Sequence, residues 1–200
     1  HWAEDFIIDA MLNKDIDAVS NFRSQDSITR AEFVKMIFTL NDMDVKSSDK
    51  EYFSDVKPSD WHYEYVARLA TLGVIDGDGN GQFRPNDTIT RQEAAKIIAK
   101  LNNVGETISI DANGNVVHKV VKTKFEDTNE IAAWADESVK ALQDKQVYDL
   151  NSNTKIVNII NGYKEGGKEY FKPSNNINRA EALVMITRGT TTRYNTGVKN

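Results

Sequence analysis

Apolar positions recur at helical spacing in two stretches of the middle of this chain: Tyr65, Val66, Leu69 and Leu72 after Trp61, then Ala94, Ala95, Ile97, Ile98 and Leu101 after Arg91. Spacings of three and four residues put each set on one face of a helix, so two amphipathic helices are expected. Gly73 ends the first helix. Val74 to Gly81 carries glycine at every second position from Gly77, and reads as a turn region leading into Phe83-Arg84-Pro85. The segment is therefore helix, structured loop, helix. The same pattern returns with Val139 and Leu142 after Trp134, and Trp134 to Val147 has the spacing of Trp61 to Val74. A different pattern lies between the two copies. Thr107 to Asp111 and Val116 to Val121 are rich in β-branched residues and flank Asp111-Ala112-Asn113-Gly114-Asn115, so a small β-hairpin is expected near 107–121.

One short signal punctuates the chain three times: Ile28-Thr29-Arg30-Ala31-Glu32, Ile89-Thr90-Arg91-Gln92-Glu93 and Ile177-Asn178-Arg179-Ala180-Glu181. Phe22, Phe83 and Phe171 each stand eight residues before the arginine, and Trp2, Trp61 and Trp134 lie further upstream. Recurrence on this scale means one structural unit used three times. The expected organisation is repeat 1 over 1–45, repeat 2 over 50–104, the hairpin insertion over 105–122, repeat 3 over 123–189 and a linker over 190–200. Repeat 3 is lengthened between Tyr148 and Ile160 and around Gly166 to Glu169; these additions are expected in a loop, where they cost little. Repeat 1 lacks the Phe-x-Asp lead-in seen as Phe53-Ser54-Asp55 and Phe125-Glu126-Asp127. Ala18 stands about where Gly77 does, and Ser24 replaces proline. Any site built on the motif is thus expected to be complete in one or two copies.

Units of about 60 residues bury too little surface to be comfortable alone, so three sharing a core is the expected arrangement. The chain contains no cysteine, which excludes disulfides, thiol catalysis and cysteine-bound metal, and fits an exported bacterial protein. A net charge of −5 argues against nucleic acid as a partner. No apolar run reaches the roughly 20 residues needed to cross a bilayer, so membrane insertion is not expected. No signal peptide begins the sequence; an exported protein would be represented here by a processed or excised piece.

Threonine followed three residues later by glutamate is a capping box, and Asn178 can cap in the third copy. The isoleucine before it sits where a hydrophobic staple packs. Capping does not call for arginine, because the first helical turn favours acidic residues. Three arginines in that place invite a second role: beside a helix N-terminus, a guanidinium binds a carboxylate or phosphate, with the dipole and free N–H groups assisting.

In order and spacing, Phe-x-Asp-Val, Trp, Gly-Val-Ile-x-Gly, Phe-Arg-Pro and Ile-Thr-Arg-x-Glu resemble the S-layer homology domain, over nearly the whole chain as three tandem copies. The resemblance implies a mainly α fold: three helix-loop-helix repeats in a pseudo-threefold arrangement around a central three-helix bundle, with grooves between adjacent repeats. It implies non-covalent anchoring of an exported protein to the Gram-positive cell wall or surface layer. The implied ligand is a secondary cell-wall polysaccharide, often pyruvylated, whose carboxylate answers the arginines. Carried over residue by residue, Arg30, Arg91 and Arg179 are the ligand-binding arginines. Asp55, Asp127, Gly77, Gly162, Trp2, Trp61 and Trp134 line or shape the grooves. No catalysis and no cofactor are implied, and any surface-layer self-association would run through regions outside this chain.

Other readings of the same residues stay open. The tryptophans could be core, the arginines surface ion pairs, and Asp55 and Asp127 caps for the helices near Trp61 and Trp134. Asp76-x-Asp78-x-Asn80-Gly81 with Asp87 mimics a calcium loop, which would suit a calcium-dependent protein-docking module. Pro85 and the differing loops of the other copies argue against it. His1, His62 and His118 show no metal-ligand spacing and read as surface residues. No acid pair or Ser/His/Asp order suggests a hydrolase. Arg91→Ala is expected to weaken binding and leave folding intact, since Thr90 and Glu93 would remain.

Overall fold

In the computed structural model, residues 2–12, 22–45, 50–103, 108–110, 116–118, 122–149 and 152–191 are described. They are helix-rich. The helices are α1 (Glu4–Leu12), α2 (Arg30–Leu40), α3 (Tyr63–Thr71), α4 (Arg91–Leu101), α5 (Ala133–Asp144) and α6 (Arg179–Thr191). Three antiparallel hairpins accompany them: β1 (Ile108–Ile110) with β2 (Val116–His118), β3 (Gln146–Asp149) with β4 (Ser152–Asn158), and β5 (Tyr163–Glu165) with β6 (Lys168–Tyr170). No helix among the described residues is long and apolar enough to cross a membrane.

The hairpin expected near 107–121 is β1–β2, with Ile108 opposite His118 and Ile110 opposite Val116; its turn residues lie outside the described ones. The additions in repeat 3 are not plain loop, contrary to expectation. Residues 146–149 and 152–158 form β3–β4, pairing Val147 with Val157 and Tyr148 with Ile156, and the Gly166-Gly167 turn closes β5–β6. β-branched and aromatic residues such as Val147, Tyr148, Ile156 and Val157 favour a pleated pair once a helix is available to pack against. Val147 is buried, as are Ile159 and Ile160 just beyond β4. Helix α6 runs through Gly189 to Thr191, so it takes up the first residues expected as linker; 192–200 lie outside the described residues, as does Ala18.

Helices α2, α4 and α6 all begin at the arginine of the repeated signal. Thr29 Oγ1 accepts the Glu32 N–H at 3.2 Å while Glu32 Oε2 accepts the Thr29 N–H at 2.9 Å. Thr90 and Glu93 form the same box, and Asn178 and Glu181 close the third at 2.8 and 3.0 Å. Each cap contributes about 1 kcal/mol to holding its helix start in place.

The chain divides into two compact units. The first comprises His1–Ile89 with Asn176–Thr187, the second Thr90–Asn175 with Arg188–Asn200. In the first, α2 lies against α3, where Phe38 meets Tyr65 edge-on at 5.3 Å, over a core that includes Phe33, Ile37, Val66, Leu69 and Phe83. The three isoleucines of the repeated signal are all completely buried there. Their backbones close a ring: Ile28 N–H donates to Ile177 O at 3.3 Å, Ile177 N–H to Ile89 O at 3.1 Å, and Ile89 N–H to Ile28 O at 3.1 Å. Buried N–H and C=O groups must find partners, and here each copy of the signal satisfies another. In the second unit α4 packs on α5 around Ala94, Ile98, Val139, Leu142, Phe125 and Phe171.

Candidate functional site

The start of each capped helix receives a loop. Arg30 N–H donates to Asp87 O at 2.9 Å and Ala31 N–H to Pro85 O at 3.0 Å, while the Arg30 side chain donates from Nε to Phe83 O at 2.8 Å. Alternate carbonyls of the Phe83–Asp87 strand of loop thus seal the first turn of α2. The second unit repeats this. Arg91 N–H reaches Asn175 O at 2.9 Å, Gln92 N–H reaches Pro173 O at 3.1 Å, and Arg91 Nε reaches Phe171 O at 2.7 Å. On α6, Arg179 N–H reaches Asp26 O, Ala180 N–H reaches Ser24 O, and Arg179 Nε reaches Phe22 O at 2.8 Å.

This arrangement corrects the expectation of free N–H groups beside each arginine. The third N–H of each first turn is already held by the capping Thr29, Thr90 or Asn178, and the loop carbonyls take the first two. Free N–H groups are therefore not on offer to a ligand, and the positive end of the helix is neutralised by carbonyl oxygens. The arginines are not simple surface ion pairs either. Arg30 and Arg91 are each only 5% exposed. Arg30 lies over the Phe83 ring at 4.8 Å; Arg91 lies over Tyr163 at 4.7 Å and Phe171 at 5.1 Å. Arg91 also donates to Asn161 O at 2.9 Å and Tyr163 Oη at 3.3 Å. Arg179 is more open, sits over Phe22 at 5.2 Å and approaches Glu32 at 3.7 Å.

Asp55 and Asp127 do not cap the helices near the tryptophans. Asp55 accepts the N–H groups of Phe83 and Arg84 on its two oxygens, both at 2.8 Å. Asp127, itself buried, accepts those of Phe171 at 2.8 Å and Lys172 at 2.7 Å. Consecutive N–H groups converging on one carboxylate form a nest. Gly77 and Gly162 complete the same corner. A Cβ on Gly77 would stand 2.7 Å from the Phe53 ring and 2.8 Å from Gln82 O; one on Gly162 would stand 2.8 Å from the Phe125 ring. The glycines leave room for the phenylalanine of each Phe-x-Asp lead-in.

The tryptophans are on the surface, not in the core. Trp2, Trp61 and Trp134 are 61%, 55% and 48% exposed, although each stands beside the start of a packed helix. Lys35 Nζ lies 5.7 Å from the Trp61 ring and Lys96 Nζ 5.3 Å from the Trp134 ring. Those lysines escaped the sequence reading. Their signal was present: each stands five residues after the motif arginine, where the third copy has Val184. The structure thus groups arginine, aspartate and glycine around the Phe-x-Pro loop, and tryptophan with lysine on the helix flank.

His62 is buried, contrary to the surface reading, and neither ring nitrogen has a hydrogen-bond partner. The corresponding positions after Trp2 and Trp134 hold the fully buried Ala3 and Ala135. Burial pushes the His62 pKa below its ordinary value, against the opposing pull of Asp60 and Asp55. The His118 side chain and all of His1 lie outside the described residues. In the loop that mimics a calcium site, Asp78 Oδ1 instead accepts the N–H groups of Asn80 and Gln82 at 2.8 and 3.1 Å, which lowers its pKa. Among the described residues no group of three or more His, Cys, Asp or Glu is arranged to hold a metal ion.

The family model described as "S-layer homology domain" matches residues 52–95 and 158–183. The chain is 29% identical over 189 residues to "Exoglucanase XynX" of Acetivibrio thermocellus, covering 93% of this chain and 15% of that protein. It is 27% identical over 173 residues to "Surface-layer 125 kDa protein" of Lysinibacillus sphaericus, covering 86% and 12%. It is 27% identical over 191 residues to "S-layer protein" of Bacillus licheniformis, covering 93% and 18%. The chain therefore spans less than a fifth of the length of each of these relatives. The same region is thus shared by an exoglucanase and by surface-layer proteins. Residues 52–95 and 158–183 match the S-layer homology domain, and together with these relatives they mark the chain as a cell-surface, cell-wall-associated anchoring module.

Proposed function

We propose that this module binds an anionic, pyruvylated secondary cell-wall polysaccharide in grooves between its repeats, and so holds an exported protein on the wall without a covalent bond. The observation that carries the reading is the exposure of all three tryptophans, each in the same place in its repeat, two of them with a lysine amine over the ring. An exposed indole offers a flat apolar face and an N–H donor to a sugar ring, and the lysine beside it supplies positive charge. The motif arginines contribute guanidinium edges at the end of each groove, as guanidinium suits planar anions.

Its repeats run over 1–45, 50–104 and 123–189, arranged with pseudo-threefold symmetry around α2, α4 and α6. Support comes from the cyclic order in which Arg30 engages Phe83, Arg91 engages Phe171 and Arg179 engages Phe22, and from the closed ring of Ile28, Ile89 and Ile177. More than one groove on a repetitive polymer would raise avidity wherever both can be filled at once. The module itself catalyses nothing. Co-sedimentation with purified Gram-positive walls tests the reading: binding is expected to intact walls and to vanish once the secondary polysaccharide is extracted. Undiminished binding to bare peptidoglycan would refute it.

A further inference from the structure

Asp55 and Asp127 each stand one peptide unit removed from the guanidinium of a motif arginine. Asp127 holds the N–H of Phe171, and the carbonyl of that same residue receives Arg91 Nε at 2.7 Å. Asp55 holds the N–H of Phe83, whose carbonyl receives Arg30 Nε at 2.8 Å. The residue after each of the three phenylalanines is left-handed: Arg23 at φ 49°, Arg84 at φ 58° and Lys172 at φ 56°. Side chains with a Cβ rarely adopt that conformation, and such outliers persist only where the surroundings impose them. The Phe22 copy takes the same turn without a Phe-x-Asp lead-in and still receives Arg179 Nε; in the other two copies the imposition comes from the carboxylate. By gathering two consecutive N–H groups it fixes the left-handed turn, and this turn faces the phenylalanine carbonyl toward the arginine.

We infer that Asp55 and Asp127 are positioning residues, each setting the guanidinium of the arginine in the preceding copy of the signal: Asp55 for Arg30 and Asp127 for Arg91. The assignment crosses repeats. The lead-in of one repeat governs the arginine of the one before it, so loss of a single aspartate disables a single arginine. Neither carboxylate then needs to meet the ligand. This inference rests on the anchoring reading only for its bearing on binding, and it is decided without any glycan.

Hydrogen exchange of the arginine Nε–H groups, read by NMR on the isotope-labelled full chain, tests it. Asp127→Asn is expected to speed exchange at Arg91 by about tenfold or more, as expected for loss of one charge-assisted hydrogen bond, and to leave Arg30 unchanged. Asp55→Asn is expected to do the reverse. Unchanged exchange at Arg91 in folded Asp127→Asn, or equal response of both arginines to either change, would overturn the inference. If Asp127→Asn does not fold, Lys172→Gly is added, since glycine takes the left-handed turn without strain. Exchange at Arg91 should then be faster in the double variant than in Lys172→Gly alone, and equal rates would overturn the assignment.

Discussion

Arg91 Nε donates to the carbonyl oxygen of Phe171 at 2.7 Å, across 80 residues of sequence. That bond, with those to Asn161 and Tyr163, gives a buried cation neutral acceptors beside two aromatic faces. Removing it leaves the Phe171 carbonyl buried without its donor. Arg91→Ala is therefore predicted to lower stability by about 2–3 kcal/mol, despite an intact Thr90–Glu93 cap. The expectation from sequence, that folding would be untouched, is thereby revised. Urea unfolding of the variant checks the figure; a midpoint equal to that of the unsubstituted chain would return Arg91 to a purely ligand-facing role.

Gly162→Ala would drive a methyl group to within 2.8 Å of the Phe125 ring and 3.0 Å of Tyr170 O. Backbone and a packed ring cannot both yield cheaply. A loss of about 1–3 kcal/mol is expected, the usual cost of overpacking. The same change at Gly77 should cost at least as much, because φ there is +75°. Thermal melts of the two variants measure this.

His62 predicts a pH dependence. Its folded pKa lies below its ordinary value of 6.5, so folding favours the neutral ring. The associated stability is complete above about pH 6.5 and declines as pH falls toward the folded value, because protonation then buries a charge. His62→Ala, which copies Ala3 and Ala135, should flatten that part of the stability curve. Urea midpoints between pH 7 and pH 5 provide the check; equal pH slopes for both proteins would exclude His62 as the cause.

Trp61→Ala and Trp134→Ala separate binding from folding. Exposed side chains contribute little to stability, so each change should cost within about 1 kcal/mol. Affinity for wall polysaccharide should drop about tenfold per tryptophan if the indole is a contact anchor. Wall-binding isotherms measured beside melting curves would show whether the two effects part in this way.

Much of this was legible in the chain. The capping boxes at Thr29, Thr90 and Asn178 are local, spanning three residues, and local chemistry is what a sequence records best. The β1–β2 hairpin followed from β-branched runs around a turn. The task of Asp55 and Asp127 was hidden, because their partners lie 28 to 45 residues away and nothing in the Phe-x-Asp lead-in names them. The same holds for the helix starts, whose N–H groups look available until the loop carbonyls of Pro85, Asp87, Pro173 and Asn175 arrive. His62 was misread because its burial depends on the packing of α3, not on its neighbours in sequence. The β3–β4 hairpin was hidden for a related reason, since strand and loop compete evenly until α5 supplies a surface.

Calorimetric titration of the chain with secondary cell-wall polysaccharide, before and after removal of its pyruvyl ketals, bears on the anchoring proposal at its root. A saturable binding heat that disappears with the pyruvate is the predicted result. Equal affinity for the depyruvylated polymer, or no heat with either, would contradict recognition of an anionic sugar by these arginines and lysines.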